Sequence, residues 1–268
     1  MIAEHLKKSI LQAAIQGKLT EQLPEDGHAR DLLKEIHREK ARLIKVGKLK
    51  KENPLPKIAD GEIPFDIPEN WSWVRLIEIL NFIDYRGMTP EKISVGVRLI
   101  TANNIKLGFM DMSLESYISE KEYLSRNSRG ITKRGDILFT TEAPLGHCCI
   151  NEFEGCSCGQ RIITMQEYGQ SEIHKRYVML VLLSPYFQKA VLENRSGMTA
   201  MGIKAAKLKQ IIFPLPSSSE QRRIVQCVEK ILLEIDELGK DEFRLNDLQK
   251  FFPKKMKNSI LQYAIQAN

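Results

Sequence analysis

The sequence predicts an α+β fold, one mixed α/β domain with long, coiled-coil-forming helices at both termini. Three observations lead there. The string Ser-Ile-Leu-Gln-x-Ala-Ile-Gln stands at 9–16 and again at 259–266, near the two ends of a 268-residue chain, and such self-similarity is the first thing a fold must explain. Between the copies, short apolar runs alternate with Gly, Pro, Asn and Asp, the pattern of strands and turns. From Ile224 to Leu238, and again at Leu245, aliphatic residues keep a four-three spacing, the stripe of a coiled-coil seam, with Glu242 and Gln249 in seam slots and Gly239 inside.

Residues 1–50 read as N-terminal helices. Leu6, Ile10 and Ala13 or Ala14 keep helical spacing up to Gly17, a C-cap. Asp31 is placed to cap a second helix that carries Leu32, Leu33, Ile36, Leu43 and Val46 and stops at Gly47. Residues 51–70 form an extended linker, because Pro54, Pro56, Pro64 and Pro68 each remove a donor and push the preceding residue out of the helical region.

Residues 71–216 form the mixed domain. Strands are predicted at Val97–Ile100, Asp136–Thr140 and Arg161–Thr164, with one helix at about 174–194. Trp71 and Trp73 alternate as on a strand, and one of them is expected in the core. Residues 217–268 form the long helix. Ser217, Ser218 or Ser219 caps it and Glu220 stands in its first turn. Pro253 ends or kinks it; up to that point it would span roughly 50 Å at a rise of about 1.5 Å per residue.

Composition narrows the function classes. No apolar run is long enough to cross a membrane and no charged-then-apolar start suggests a signal peptide. Five cysteines, an odd count, fit a reducing compartment better than a disulfide framework. The net charge of +6 permits nucleic acid as a partner. Its densest excess lies at 189–209, where Lys189, Arg195, Lys204, Lys207 and Lys209 face Glu193 alone. No basic tail exists, which favours site-specific contact over indiscriminate phosphate binding.

The order of motifs is that of a known family. Ile67-Pro68-Glu69-Asn70-Trp71, then Gly135-Asp136-Ile137-Leu138-Phe139-Thr140 with Gly146, then Gly159-Gln160-Arg161, Gly197-Met198-Thr199-Ala200 with Gly202-Ile203-Lys204, and Pro214-Leu215-Pro216 running into Glu220-Gln221-Arg222-Arg223-Ile224-Val225 resemble the specificity subunit of type I restriction–modification systems. That resemblance implies a target recognition domain at 71–216 and a conserved helix at 217–268 for dimerisation and methylase docking. Family members usually hold two such domains; the terminal repeat suggests a half-length form that dimerises to read a palindromic, interrupted site.

The resemblance also implies a division of labour. This chain would be non-catalytic, cytoplasmic in a prokaryote, and free of bound cofactors. S-adenosylmethionine, ATP and Mg would sit on partner subunits, a DNA adenine methyltransferase and a restriction translocase. Its own partners would be double-stranded DNA, those subunits and a second copy of itself. The residues agree: no Glu-x-Lys triplet of a metal nuclease occurs, nor an adenine-methylase Asn/Asp-Pro-Pro-aromatic motif. The rival readings are a stand-alone DNA-binding protein or a helical scaffold, which sequence-dependent DNA binding would separate.

Base readout needs Arg and Lys for guanine, Asn and Gln for adenine, and carboxylates for cytosine. Arg86, Thr89, Asn103, Asn104, Lys106, Thr141, Glu142, Gln160, Arg161, Arg195, Thr199, Lys204 and Lys207 supply them near predicted strand ends. Ile224, Val228, Ile231, Ile235, Leu238 and Leu245 are the expected interface with a second copy or partner. His147-Cys148-Cys149 and Cys156-x-Cys158 lack zinc-site spacing and read as buried free thiols.

Overall fold

The computed structural model describes residues 2–169, 173–197 and 201–266. Helix α1 spans Ile2–Ile15, and Gly17 stops it at φ 68°. There the Lys18 amide reaches back to the Ala13 carbonyl, the six-to-one bond of a glycine stop. A Cβ on Gly17 would also lie 2.5 Å from Pro68 and 3.3 Å from Trp71, so the linker packs where only glycine fits. Helix α2 spans Ala29–Lys45 and ends the same way at Gly47. It starts earlier than Asp31; that side chain sits in the first turn, favoured by the helix dipole, and pairs with Lys34.

The mixed domain follows. In order it contains β1 (Ser72–Arg75), α3 (Leu76–Ile79), β2 (Leu80–Asp84), β3 (Val97–Ile100), β4 (Tyr117–Ile118), α4 (Glu120–Arg126), β5 (Ile137–Thr140) and β6 (Cys148–Ile150). Then come β7 (Ser157–Cys158), β8 (Ile162–Glu167), α5 (Lys175–Leu183), α6 (Pro185–Glu193), α7 (Ala205–Leu208) and β9 (Ile212–Leu215). The central antiparallel sheet has the order β2-β8-β5-β6; β4-β3-β7 and β1-β9 are smaller sheets. The predicted helix at 174–194 is two helices. Ser184 is extended, Pro185 follows it, and the Ser184 hydroxyl caps the second helix through the Phe187 amide.

The central sheet is buried on both faces, and strand alternation sorts its residues into two cores. Ile137, Phe139, Cys148, Ile163 and Met165 join the larger core with α5, α6 and the N-terminal helices. Leu138, Cys149, Ile162 and Ile83 point the other way, into a smaller core with Ile100, Cys156 and Cys158. Two-sided burial is why these strands read as continuous apolar runs. Ala14, Ile15, Leu32 and Ile36 share the larger core with Trp71 and Tyr177, so the N-terminal helices pack into the mixed domain.

Helix α8 spans Ser218–Gln266, 49 residues, and continues through Pro253 rather than ending there. Ser217 caps it by accepting from the Glu220 amide. Its first half packs against α1, where Lys7 meets Asp236 at 2.6 Å and the Ile2 amide donates to Glu242. The seam expectation changes here. Ile224 and Val228 are fully buried in the larger core and Ile235 is buried too; Ile231 is half-buried. These positions hold the chain's own elements together. Leu238 and Leu245 are exposed, and the apolar stripe goes on through Leu248, Phe252, Met256, Ile260 and Tyr263.

Candidate nucleic-acid interface

Three connections leave the central sheet at one pole. In the β5–β8 ladder Thr140 stands opposite Ile162, and in the β2–β8 ladder Asp84 stands opposite Ile163. The chain after β2, the β5–β6 turn and the turn entering β8 therefore emerge together. The exit of β3 joins them, because the Gly159 amide donates to the Ile100 carbonyl. They enclose a concavity of about 240 Å³ lined by Thr89, Lys92, Asn103, Ala143, Gln160 and Arg161, among others. A fourth segment closes its side, since Gly202 bridges both Glu142 and Ser196 and the Ile203 amide donates to the Thr141 carbonyl.

Several expected residues meet at this face. The Thr89 hydroxyl donates to Gln160 at 3.0 Å. The Arg161 Nε lies 3.2 Å from Glu142. Asn103 is exposed on the wall. Arg86 grips Asp84 with two nitrogens, at 2.9 and 2.6 Å, and Lys106 lies 3.7 Å from Asp111. Arg195, Lys204 and Lys207 are exposed on the adjoining segment. Thr199 falls outside the described residues.

Two expected residues are structural instead. Asn104 is 1 % exposed; its carbonyl accepts from the Thr101 amide and hydroxyl, and its amide donates to the Asp111 and Leu114 carbonyls. Every polar atom is engaged, so nothing remains for a base. Thr141 is 3 % exposed, and both its amide and its hydroxyl donate to the Arg161 carbonyl. It pins Arg161 rather than contacting a ligand.

Sequence reasoning missed Arg126. This arginine, 1 % exposed, donates to the Met88 and Cys158 carbonyls and the Ser157 hydroxyl, and its guanidinium stacks 5.1 Å from the Tyr85 ring. It thereby ties the chain after β2 to β7, the strand that leads into the turn before β8. Burial pushes the Tyr85 phenol up to about 12. Nothing in the local sequence distinguishes Arg126 from an exposed helix-end arginine.

Four of the five cysteines belong to the cores. Cys148 and Cys149 point to opposite faces of β6, and Cys156 and Cys158 lie in the smaller core. Among the described residues no group of three or more His, Cys, Asp or Glu could hold a metal ion. No described helix is long and apolar enough to cross a membrane.

A larger concavity, about 660 Å³, lies at the opposite pole between α2 and the start of β5. Its charges are mixed and partly self-paired, as in Arg42–Glu39 and Lys175–Glu167. Size alone does not make it the site; the other pole gathers the residues able to read bases.

The signature at the start of α8 is architectural. Glu220 is fully buried and accepts from Trp71 at 2.7 Å and Gln22 at 2.6 Å. Gln221 accepts from the His174 amide and donates to the Pro216 carbonyl. Arg223 pairs with Asp26 and donates to the Glu21 carbonyl. The motif fastens the N-terminal segment and the linker to the long helix.

Known proteins resemble this chain in sequence and fold. The family described as "Type I restriction modification DNA specificity domain" matches residues 68–262. The type I restriction enzyme EcoAI specificity subunit of Escherichia coli is 34 % identical over 234 residues, which is 85 % of this chain and 39 % of that protein. The EcoEI specificity subunit of Escherichia coli is 30 % identical over 247 residues, 87 % of this chain and 41 % of that one. The chain thus spans about two fifths of the length of these relatives. A solved structure, from work on complex assembly and conformational transition of the type I R-M system, superposes with a TM-score of 0.53 at 20 % identity. It covers 83 % of this chain and 53 % of its own, a likeness of fold.

Proposed function

Because this chain belongs to the type I restriction modification DNA specificity family, we propose that it recognises a DNA sequence and directs chemistry carried out by other subunits. The observation that carries the reading is the convergence of Thr89, Asn103, Glu142, Gln160 and Arg161 on one concave pole of the sheet, with Arg195, Lys204 and Lys207 exposed on the adjoining segment. Bases would be read in the concavity, and the exposed lysines would hold phosphates.

In this reading residues 71–216 are the target recognition domain and 217–268 the helix that docks partners, with 1–50 and the linker 51–70 fastened to both. The chain itself is non-catalytic and cytoplasmic. S-adenosylmethionine belongs to an adenine methyltransferase subunit, and ATP and Mg to a restriction subunit. Two copies of the chain pair through the exposed stripe of α8, from Leu238 to Tyr263. A two-fold pair reads the same half-site in opposite orientations, so the target is palindromic and interrupted.

Alanine at Gln160, Arg161 or Lys204 tests the face. Gln160 and Arg161 variants should relax specificity at single positions by about 1–3 kcal/mol, whereas the Lys204 variant should weaken all sequences alike. Unchanged affinity and specificity in all three would place the interface elsewhere.

A further inference from the structure

The arginines and the exposed lysines of the reading face differ in one respect. Arg86 and Arg161 are already held by carboxylates, Asp84 and Glu142. Lys92, Lys204 and Lys207 are exposed and carry no ion pair among the described residues. An unpaired lysine gains from any phosphate it meets. A paired arginine must give up its carboxylate first, and only a ligand that satisfies both released groups makes the exchange favourable.

The Arg161–Glu142 pair is built to stay together. The Thr141 amide and hydroxyl both donate to the Arg161 carbonyl, and Glu142 is the next residue. Gly202 lies against them from the other side: a Cβ there would sit 2.8 Å from the Thr141 carbonyl oxygen and 3.1 Å from the Glu142 Cβ. The two backbones are fixed side by side. Arg161 lines the concavity with a side chain 49 % exposed, and Glu142 stands beside it with a side chain 35 % exposed.

We propose that Arg161 and Glu142 read a single G·C base pair by exchanging partners, an assignment that rests on DNA recognition by this face. Arg161 donates to guanine O6 and N7, and the released Glu142 accepts from the cytosine N4 amino group of the same pair. An A·T pair in that orientation sets the thymine O4 acceptor against the Glu142 carboxylate and leaves Arg161 one acceptor instead of two. Away from a matching pair the two side chains neutralise each other, and Arg161 does not cling to phosphates.

Selection of bound duplexes from a random pool tests this, with the full chain as wild type, Glu142→Ala and Arg161→Lys; thermal melts check that each variant folds. The wild type should select a motif. Both variants should lose preference at the same single G·C position, by about tenfold, and keep the others. Glu142→Ala should also bind an unselected random duplex about fivefold tighter, with a steeper salt dependence, because Arg161 is freed for phosphate. Preference retained at every position, losses at different positions in the two variants, or unchanged random-duplex binding by Glu142→Ala would overturn the proposal while the recognition reading stood. If the wild type selects no motif, the recognition reading itself falls.

Discussion

The indole N–H of Trp71 donates to the Glu220 carboxylate at 2.7 Å, joining the end of the linker to the first turn of the long helix across 149 residues. Burial raises the Glu220 pKa above the ordinary carboxyl value of 4.5, and the Trp71 bond is the first influence pulling it down. The folded state therefore holds this proton more tightly than the unfolded chain. The contribution of Glu220 to stability is fully present below 4.5 and is lost as pH rises through the elevated value.

Trp71→Phe keeps an aromatic ring, though a smaller one, and removes the donor. The variant should lose about 1–3 kcal/mol near pH 7.5 and distinctly less below pH 4.5, where a protonated carboxyl needs the donor less. Urea unfolding at both pH values measures the gap. A gap independent of pH would mean that the ring's packing, not the bond to the ionised carboxylate, is what Trp71 supplies.

Arg126 should be intolerant of change. Arg126→Met strands the Met88 and Cys158 carbonyls and the Ser157 hydroxyl, and should cost about 3 kcal/mol. Arg126→Lys keeps the charge without the fork and should fall between variant and wild type. Denaturant midpoints check the order. A Met variant as stable as wild type would show that Arg126 does not hold these loops in place.

The thiols should separate cleanly. Burial pushes Cys149 and Cys158 up to about 12 and raises Cys148 and Cys156 as well. Cys227 alone of the five is only half-buried. Alkylation at neutral pH, read by mass spectrometry, should modify Cys227 in the native protein and all five cysteines in denaturant. Rapid native labelling of Cys156 or Cys158 would show that the smaller core opens.

The exposed part of α8 should control assembly. Leu245→Glu with Phe252→Glu places charges on the stripe without touching the chain's own core, and sedimentation should move from dimer to monomer with the melting temperature nearly unchanged. A dimer that survives both substitutions would move the interface away from α8. The half of the seam around Ile224 and Val228 is unsuitable for this test because it is buried in the larger core. A heptad inserted after Leu245, about 10 Å of helix, should lengthen the unread gap by about 3 base pairs.

Much of the fold was legible in local chemistry. Gly17 and Gly47 stop their helices as read, and the three named strands form, because turn chemistry and apolar runs are local signals. The break at Ser184–Pro185 was legible too, but the apolar period runs across it and masked the proline. Other features depend on tertiary placement. Asn104 and Thr141 carry the same side chains as base-reading residues, and only their burial and filled hydrogen bonds exclude them. Arg126 looks like a surface charge until Met88 and Cys158 close over it. The stripe of α8 is broken in sequence only at Glu242 and Gln249, and tertiary packing divides it into an internal half around Ile224 and Val228 and an exposed half from Leu238 onward.

The most direct measurement is a genome-wide map of methylated adenines in cells that express the partner methyltransferase with and without this chain. The expected result is a palindromic, interrupted motif methylated only when the chain is present, and changed or relaxed at single positions by Gln160 and Arg161 variants. The same methylated sites with and without the chain would contradict its role in recognition.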